Sequence, residues 1–286
     1  MRIVSLVPSG TEIVCALGAG DQLVGVTHDC DYPEWTRELP RVTRSTIPAG
    51  STSREIDTRV REAGERGEST FHLDPAALAE LRPDLIVGQT LCAVCAVTLE
   101  QVPSALGSEP RVVPLTGTSL EGVLADVERA AIALGRTDQG RELVAALRSR
   151  LAAVVSRVAS LPRPRVVCLE WTDPLFNAGH WVPEQVVLAG GRDVLGEPGV
   201  PSRVIEWDDV RAAEPEVLVV MPCGFGRERA ASETRSLRAL PGWDELPAVR
   251  DERVHAVDGN AYFSRPGPRV VDGVELLASL LHPSAS

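Results

Sequence analysis

Apolar runs and turn residues alternate along the first part of the chain. Ile3 to Val7 and Leu23 to Thr27 are short apolar runs that predict strands, and the stretch that begins at Pro8 between them predicts a helix. Asp74 to Leu81 has an acidic N-cap and a proline in its first turn, so it predicts a short helix before the buried strand Asp84 to Gly88. This alternation of strand and helix indicates a parallel sheet.

A longer helical pattern follows the strand Val112 to Leu115. Thr118 and Glu121 have the spacing of a capping box and predict the start of one helix. From Thr137 to Val158, leucine and valine recur with a period close to 3.6, which predicts one long helix. By contrast, residues 41–67 are mostly polar, and we expect a loop with one exposed helix there.

The second half of the chain repeats the order of the first. Arg165 to Leu169 and Val217 to Met221 predict strands, and Pro266 to Leu281 predicts a terminal helix. Leu81 to Val87 and Ala213 to Val219 share a helix end, a proline, an acidic residue and a strand. The sequence therefore predicts two α/β lobes.

We expect an N-terminal lobe over residues 1–117, connecting helices over residues 118–161 and a C-terminal lobe over residues 162–286. The long helix would act as a rigid backbone between the lobes, with a ligand cleft between them.

Composition and charge narrow the class of function. The 286 residues are 44% hydrophobic and 24% charged, which is typical of a folded globular protein. A formal charge of -11 disfavours nucleic-acid partners and anionic lipid, and no apolar run is long enough for membrane insertion. Met1 to Val7 enters a strand pattern without the apolar segment of a secretory signal, so we expect a cytoplasmic protein.

Aromatic residues gather where the predicted strands end. The chain is only 4% aromatic, yet these loops contain a large share of its rings: Tyr32, Trp171, Phe176, Trp181, Phe225, Tyr262 and Phe263. Because the carboxyl ends of parallel strands form ligand sites, this concentration favours a ligand with a flat or apolar surface.

Four of the six cysteines fall in the same loops, and they are Cys30, Cys92, Cys95 and Cys223. Cys92 and Cys95 form a CxxC pair, which can present two thiolates to zinc, copper(I) or an iron–sulfur cluster, with His28 or His180 as further ligands. Two alternatives stay open: the thiols are small buried apolar groups, or Cys92 and Cys95 form a redox pair. Motifs of serine hydrolases, zinc proteases and P-loop enzymes are absent from the sequence.

The order of several segments resembles the substrate-binding proteins of ABC importers for iron chelates and vitamin B12. The resemblance rests on Arg2 to Ile13, Asp31 to Pro33, Leu81 to Val87, Phe176 to Gly179 and Phe263 to Arg265, and it covers nearly the whole chain. It implies two Rossmann-like lobes joined by a long helix. The vitamin B12 binders look most similar.

The resemblance also implies a corrinoid site. It would place Asp29, Tyr32, Phe176, Trp207, Tyr262 and Phe263 around the ligand, and the strand-end pattern adds Trp171, His180, Trp181 and Arg265. In exported members an acid on each lobe engages the transporter, and Asp74 and Asp208 or Asp209 lie in comparable places. A cytoplasmic chain would not need such docking.

The leading prediction is therefore a cytoplasmic binding protein, rather than an enzyme, that captures cobalamin or a related small-molecule metal chelate. The alternative is a metalloprotein, possibly an enzyme, with zinc or an iron–sulfur cluster held by Cys30, Cys92, Cys95 and Cys223. A thiol redox protein is a third hypothesis.

Overall fold

The computed structural model describes residues 1–90 and 110–285. They fold into two compact units: residues 1–117 with 121–145, and residues 118–120 with 146–286. The α/β prediction is confirmed, since each unit contains a largely parallel sheet. The predicted lobe boundaries at residues 117 and 161 stay a proposal.

The first unit is built on a parallel sheet of four strands in the order β2-β1-β5-β6. These strands are β1 (Ile3–Ser5), β2 (Leu23–Gly25), β5 (Leu85–Gln89) and β6 (Arg111–Leu115). Its core packs Val4, Leu6, Val42, Leu78 and Ile86 together. All five residues of β5 are buried, as expected of a strand covered on both faces.

Helices α1 (Pro8–Ala16), α2 (Ser53–Glu65) and α3 (Pro75–Leu81) belong to this unit. The side chain of Asp74 accepts a hydrogen bond from the Ala77 N–H, so the predicted N-cap of α3 is confirmed. Thr52 and Glu55 form a capping box at the start of α2.

The polar segment is more ordered than the sequence predicts. Besides the exposed helix α2, strands β3 (Thr43–Ser45) and β4 (Phe71–Leu73) pair in an antiparallel ribbon. The prediction of a loop with one helix missed this ribbon because each strand has only three residues and the two are far apart in sequence.

Two helices follow β6: α4 (Leu120–Ala133) and α5 (Thr137–Val158). The long helix predicted from Thr137 is confirmed over 22 residues, about 33 Å at 1.5 Å per residue. Within the described residues no helix is both long and apolar enough to cross a bilayer.

The second unit is built on five strands in which β11, β10 and β7 run parallel. They are β7 (Arg165–Thr172), β8 (Leu175–Asn177), β9 (Arg192–Asp193), β10 (Val217–Val220) and β11 (Val254–Ala256). β8 pairs antiparallel with the carboxyl-terminal half of β7, and β9 pairs parallel with its start.

Six helices accompany these strands in the described part of the second unit. They are α6 (Val182–Leu188), α7 (Trp207–Ala213), α8 (Arg227–Leu237), α9 (Pro247–Arg250), α10 (Gly259–Tyr262) and α11 (Val270–Leu281). The terminal helix begins four residues after the predicted Pro266, because Pro266, Gly267 and Pro268 interrupt the backbone hydrogen bonding of a helix.

Candidate ligand-binding site

Three loops meet at the carboxyl edge of the second sheet. The Cys223 N–H, after β10, donates to the carbonyl of Glu170 in β7 at 3.0 Å. The Asn260 N–H, after β11, donates to the carbonyl of Phe225 at 3.2 Å. These bonds bring the ends of β7, β10 and β11 together as one surface, in the place where parallel sheets bind ligands.

Gly259 allows the last two of these loops to touch. A Cβ atom at Gly259 would lie 2.4 Å from the Pro222 carbonyl oxygen and 2.5 Å from that of Met221. Asp258 caps the short helix α10 by accepting a hydrogen bond from the Ala261 N–H at 2.7 Å. The loop that presents Tyr262 is therefore fixed against the loop that presents Phe225.

Trp171 and Phe225 form an aromatic pair on this surface. Their ring centroids lie 5.1 Å apart with planes inclined by 39°, and both residues are partly exposed. The guanidinium carbon of Arg229 lies 4.1 Å from the centroid of the Phe225 ring, within cation–π range. The pair therefore combines two partly exposed aromatic rings with a cation packed on one of them.

Glu233 fixes the position of that cation. Its Oε1 accepts a hydrogen bond from Arg229 Nε at 3.3 Å, and its Oε2 accepts one from the Thr172 hydroxyl at 2.6 Å. Arg229 and Glu233 are one turn apart in α8, so the helix and the end of β7 hold the aromatic pair in a defined arrangement.

His180 lies at an unusual backbone position. Its φ is 53°, in the left-handed region that non-glycine residues seldom adopt and that is common at functional sites. Its ring packs on Trp181 with centroids 5.6 Å apart. Burial lowers the pKa of His180, so its imidazole is neutral at pH 7 and has a nitrogen lone pair to offer.

The other predicted ligand residues of this part of the second unit differ in how deeply they are buried. Tyr262 is partly exposed, whereas Phe263 and Arg265 are only 3% and 4% exposed. Trp181 is also buried, and its indole N–H donates to the Phe263 carbonyl at 2.9 Å. Of these four residues, only Tyr262 is partly exposed, whereas Trp181, Phe263 and Arg265 are buried.

Trp207 and Phe176 lie apart from that group. Trp207 belongs to the core of the second unit, where it stacks on Trp243 at 6.0 Å and donates its indole N–H to the Pro241 carbonyl. Phe176, in β8, is partly buried and is cross-strand neighbour to Trp171. Their role in ligand binding stays a prediction.

In the first unit, predicted residues lie in the loop after β2. Tyr32 is 48% exposed, and the carboxylate of Asp29 lies 3.4 Å from His28 Nε2. Trp35, three residues beyond Tyr32, is 46% exposed. Sequence reasoning did not select Trp35, although an aromatic residue in a strand-end loop was the signal used for the others.

Phe225 and Arg229 were also not selected as ligand residues. Phe225 had a signal, because it lies in the loop after β10 and belongs to the set of strand-end rings. Arg229 had none, since it is one of several arginines in α8 and only the folded helix brings it over the ring.

The cysteines do not form a metal site in the described part of the chain. Cys30 and Cys223 belong to different units, and Cys92 and Cys95 lie outside the described residues. The thiol of Cys30 is buried, with its sulfur 3.1 Å from the Thr11 hydroxyl and 3.2 Å from the Thr27 hydroxyl. Among the described residues no group of three or more His, Cys, Asp or Glu side chains could hold a metal ion.

Comparison with known families gives a decisive result. The model of the family described as "Periplasmic binding protein" matches residues 3–261 of this chain. The chain belongs to the periplasmic binding protein family. The resemblance to substrate-binding proteins of ABC importers is thereby confirmed.

Two relatives show the range of the family. A vitamin B12-binding protein of Vibrio cholerae serotype O1 is 25% identical over 98% of this chain and 88% of its own length. The ABC transporter substrate-binding lipoprotein YvrC of Bacillus subtilis is 24% identical over 99% of this chain and 80% of its own.

Solved structures agree with the fold. The apo periplasmic heme-binding protein RhuT of Roseiflexus sp. RS-1 has a TM-score of 0.73 at 26% identity, covering 100% of this chain and 99% of that one. The periplasmic vitamin B12-binding protein BtuF of Vibrio cholerae has a TM-score of 0.70 at 23% identity, covering 99% and 96%. At that identity the second comparison supports the fold alone.

Two predictions need correction. The cytoplasmic location is wrong, because the family is one of periplasmic binding proteins and its members include a lipoprotein of an ABC transporter. The location inferred from the first residues of the sequence was therefore incorrect. The ligands named by these relatives are vitamin B12 and heme, so the zinc or iron–sulfur alternative receives no support.

Proposed function

We propose that this protein binds a tetrapyrrole-type metal chelate, cobalamin first and heme as the alternative, and delivers it to an ABC importer. The observation that carries the proposal is the partly exposed Trp171–Phe225 pair at the carboxyl edge of the second sheet. The 25% identical vitamin B12-binding protein, aligned over 98% of the chain, supports cobalamin.

The chemistry of the surface fits a large, flat chelate. A corrin or porphyrin ring is planar and carries polar or anionic groups at its rim, so it suits an apolar face with a cation beside it. The aromatic pair provides the face and Arg229 provides the cation. Tyr262, on the neighbouring loop, adds a ring with a hydroxyl group at the same edge of the sheet.

His180 supports the metal-chelate class in particular. A neutral imidazole is a good ligand for cobalt or iron, and burial lowers the pKa of His180. We propose that His180 contacts the metal face of the chelate. That Asp29 and Tyr32 of the first unit contact the ligand stays a prediction.

Visible absorbance and thermal melting test this function directly. Hydroxocobalamin or hemin is added to the purified protein; binding should shift the absorption bands of the chelate and raise Tm by several degrees, since a ligand at a hundred times its Kd adds about 2.7 kcal/mol. Unchanged spectra and Tm with both chelates at tens of micromolar would refute the proposal.

The variant His180→Asn refines the test. Asparagine tolerates the left-handed backbone, so the substitution removes the imidazole with little strain. Loss of the absorbance shift with retained, weaker binding is the expected result. A shift identical to that of the wild type would show that His180 does not contact the metal.

Delivery to an importer has its own test in the native organism. Removal of the gene should abolish growth that depends on low concentrations of the chelate, and a plasmid copy should restore it. Growth unaffected by the deletion at limiting chelate would argue against a transport role.

A further inference from the structure

Side chains at the start and in the middle of α6 donate hydrogen bonds to the segment from Tyr262 to Val270. Gln185 is fully buried, and its Nε2 donates to the carbonyls of Tyr262 at 3.2 Å and Val270 at 2.7 Å. Trp181, one turn earlier, donates its indole N–H to the Phe263 carbonyl at 2.9 Å. Three carbonyls of one segment thus accept hydrogen bonds from Gln185 of α6 and from Trp181, the residue directly before that helix.

Gly273 in α11 makes this arrangement possible. A Cβ atom there would lie 2.6 Å from Gln185 Nε2 and 2.7 Å from the Tyr262 carbonyl oxygen. The absence of a side chain therefore lets the amide of Gln185 reach the carbonyls of Tyr262, the last residue of α10, and Val270, the first residue of α11. A larger residue would displace either the amide or the segment.

The segment has little other regular structure to hold it. Between α10 and α11 the chain carries Pro266, Gly267 and Pro268, and its local backbone bonds are turns such as Gly267 N–H to the Arg265 carbonyl at 2.8 Å. Buried carbonyls of an irregular segment need hydrogen-bond partners, and side chains can supply those that the local backbone does not. Trp181 and Gln185 donate to the carbonyls of Phe263 and Tyr262 in this way.

We propose that Trp181 and Gln185 are positioning residues for ligand binding, which hold the Tyr262–Val270 segment so that Tyr262 is preorganised at the sheet edge. This inference rests on the proposed chelate-binding function. It assigns Trp181 an indirect role: its ring is buried and its N–H is used within the protein. Affinity would then depend on two side chains that do not touch the ligand.

Hydrogen exchange of the ligand-free protein tests the holding role alone. The variants are Gln185→Leu, which keeps the bulk and removes the amide, and Trp181→Phe, which removes the indole N–H. Both should speed exchange of the amides of residues 262–270 and leave those of β10 unchanged. Asn177→Leu is the matched control, because its buried amide fastens the different carbonyl of Leu195 at 2.8 Å.

Affinity for hydroxocobalamin and hemin tests the consequence. Gln185→Leu should weaken binding by about ten- to a hundredfold, the range typical when a group that orients a ligand-binding residue is removed. In a Tyr262→Ala background the same substitution should have little further effect, because the two residues act through one contact. A residue needed only for stability would lower Tm without this coupling to Tyr262.

The outcomes separate the two proposals. If the wild type binds a chelate but Gln185→Leu and Trp181→Phe match Asn177→Leu in exchange and affinity, the positioning role is wrong and the binding function stands. If neither chelate binds, the proposed function fails and the exchange result alone decides whether α6 holds the segment. If Gln185→Leu does not fold, Trp181→Phe and Gly273→Ala give the same comparison.

Discussion

The rings of Trp171 and Phe225 lie 5.1 Å apart although they come from different strand ends, β7 and the loop after β10. Arg229 packs on Phe225, with its guanidinium carbon 4.1 Å from the centroid of that ring. The pair thus combines partly exposed aromatic rings with a neighbouring cation. We therefore expect the pair to contribute strongly to the binding of a flat chelate.

Trp171→Ala and Phe225→Ala should each weaken chelate binding by about tenfold or more, because burying one large apolar side chain is worth about 1.5–3 kcal/mol. Isothermal titration gives the Kd. Trp171→Phe is the matched control, since it keeps an aromatic plane and should retain most of the affinity. Equal affinity of Trp171→Ala and Trp171→Phe would show that the plane is not used.

Gly259→Ala should destabilise the protein by about 1–3 kcal/mol, because the new methyl group meets the Met221 and Pro222 carbonyls at 2.5 and 2.4 Å. It should also weaken chelate binding, since it separates the loops of Phe225 and Tyr262. Urea denaturation measures the first effect. Gly64→Ala is the control: nothing lies within 4 Å of its Cβ position, so stability should stay the same or rise slightly.

Asp193 should make stability depend on pH in the unusual direction. Burial raises its pKa to about 6 from an ordinary 3.8, and only its Oδ1 accepts the N–H groups of Leu195 and Gly196. The folded state therefore holds the proton more tightly than the unfolded state. The resulting penalty is absent below about pH 4 and complete above about pH 6, and it amounts to at most about 3 kcal/mol.

Asp193→Asn should remove that penalty. Relative to the wild type, the variant should gain free energy of unfolding as pH rises from about 4 to 7, measured by urea denaturation at several pH values. Arg163 and Arg192 line the same small cavity as Asp193. Asp138→Asn, at an exposed pair with Arg141, serves as the control. A difference between wild type and Asp193→Asn that does not change with pH would contradict the assignment.

The cysteines of the described residues should differ widely in reactivity. Cys223 is partly exposed, whereas Cys30 is 2% and Cys168 is 1% exposed. Burial raises the pKa of the Cys168 thiol and raises that of Cys15 to about 11, which suppresses their reactive thiolates. Of these four, Cys223 should react first with iodoacetamide in the native protein, as read by peptide mass spectrometry. Equal labelling of Cys30 would mean that its burial beside Thr11 and Thr27 is wrong.

Much of the architecture could be predicted because the same order of helix end, proline, acidic residue and strand occurs in both halves of the chain. The shared pattern of Leu81–Val87 and Ala213–Val219 is matched in the structure: Arg82 and Glu214 both have φ of 42° at the helix end. Asp84 and Glu216 each accept a hydrogen bond from the backbone N–H at the start of a central strand, from Arg2 at 2.7 Å and Arg165 at 2.9 Å. The two units thus repeat one arrangement of side chains.

The antiparallel ribbon and the burial of individual aromatic rings could not be predicted, because they depend on contacts between residues that are far apart in the sequence. β3 and β4 have three residues each and form only by pairing across a long interval, so no periodicity indicates them. Trp171 was predicted as a ligand residue from its place at a strand end and Trp207 from the resemblance, yet only the folded core distinguishes a partly exposed ring from one buried against Trp243. An aromatic residue gives the same signal for a core position and for a ligand contact.

Direct titration of the purified protein with cobalamin tests the central claim most sharply. We expect saturable binding with one ligand per chain and a Kd in the micromolar range or below. The affinity should be weaker in Trp171→Ala and Phe225→Ala and unchanged in Arg141→Ala, an exposed arginine of α5. If heme binds and cobalamin does not, with the same order of affinities among the variants, the proposed site stands and its ligand is heme. If neither chelate binds saturably, or if Trp171→Ala and Phe225→Ala bind as tightly as the wild type, the proposed chelate site is contradicted.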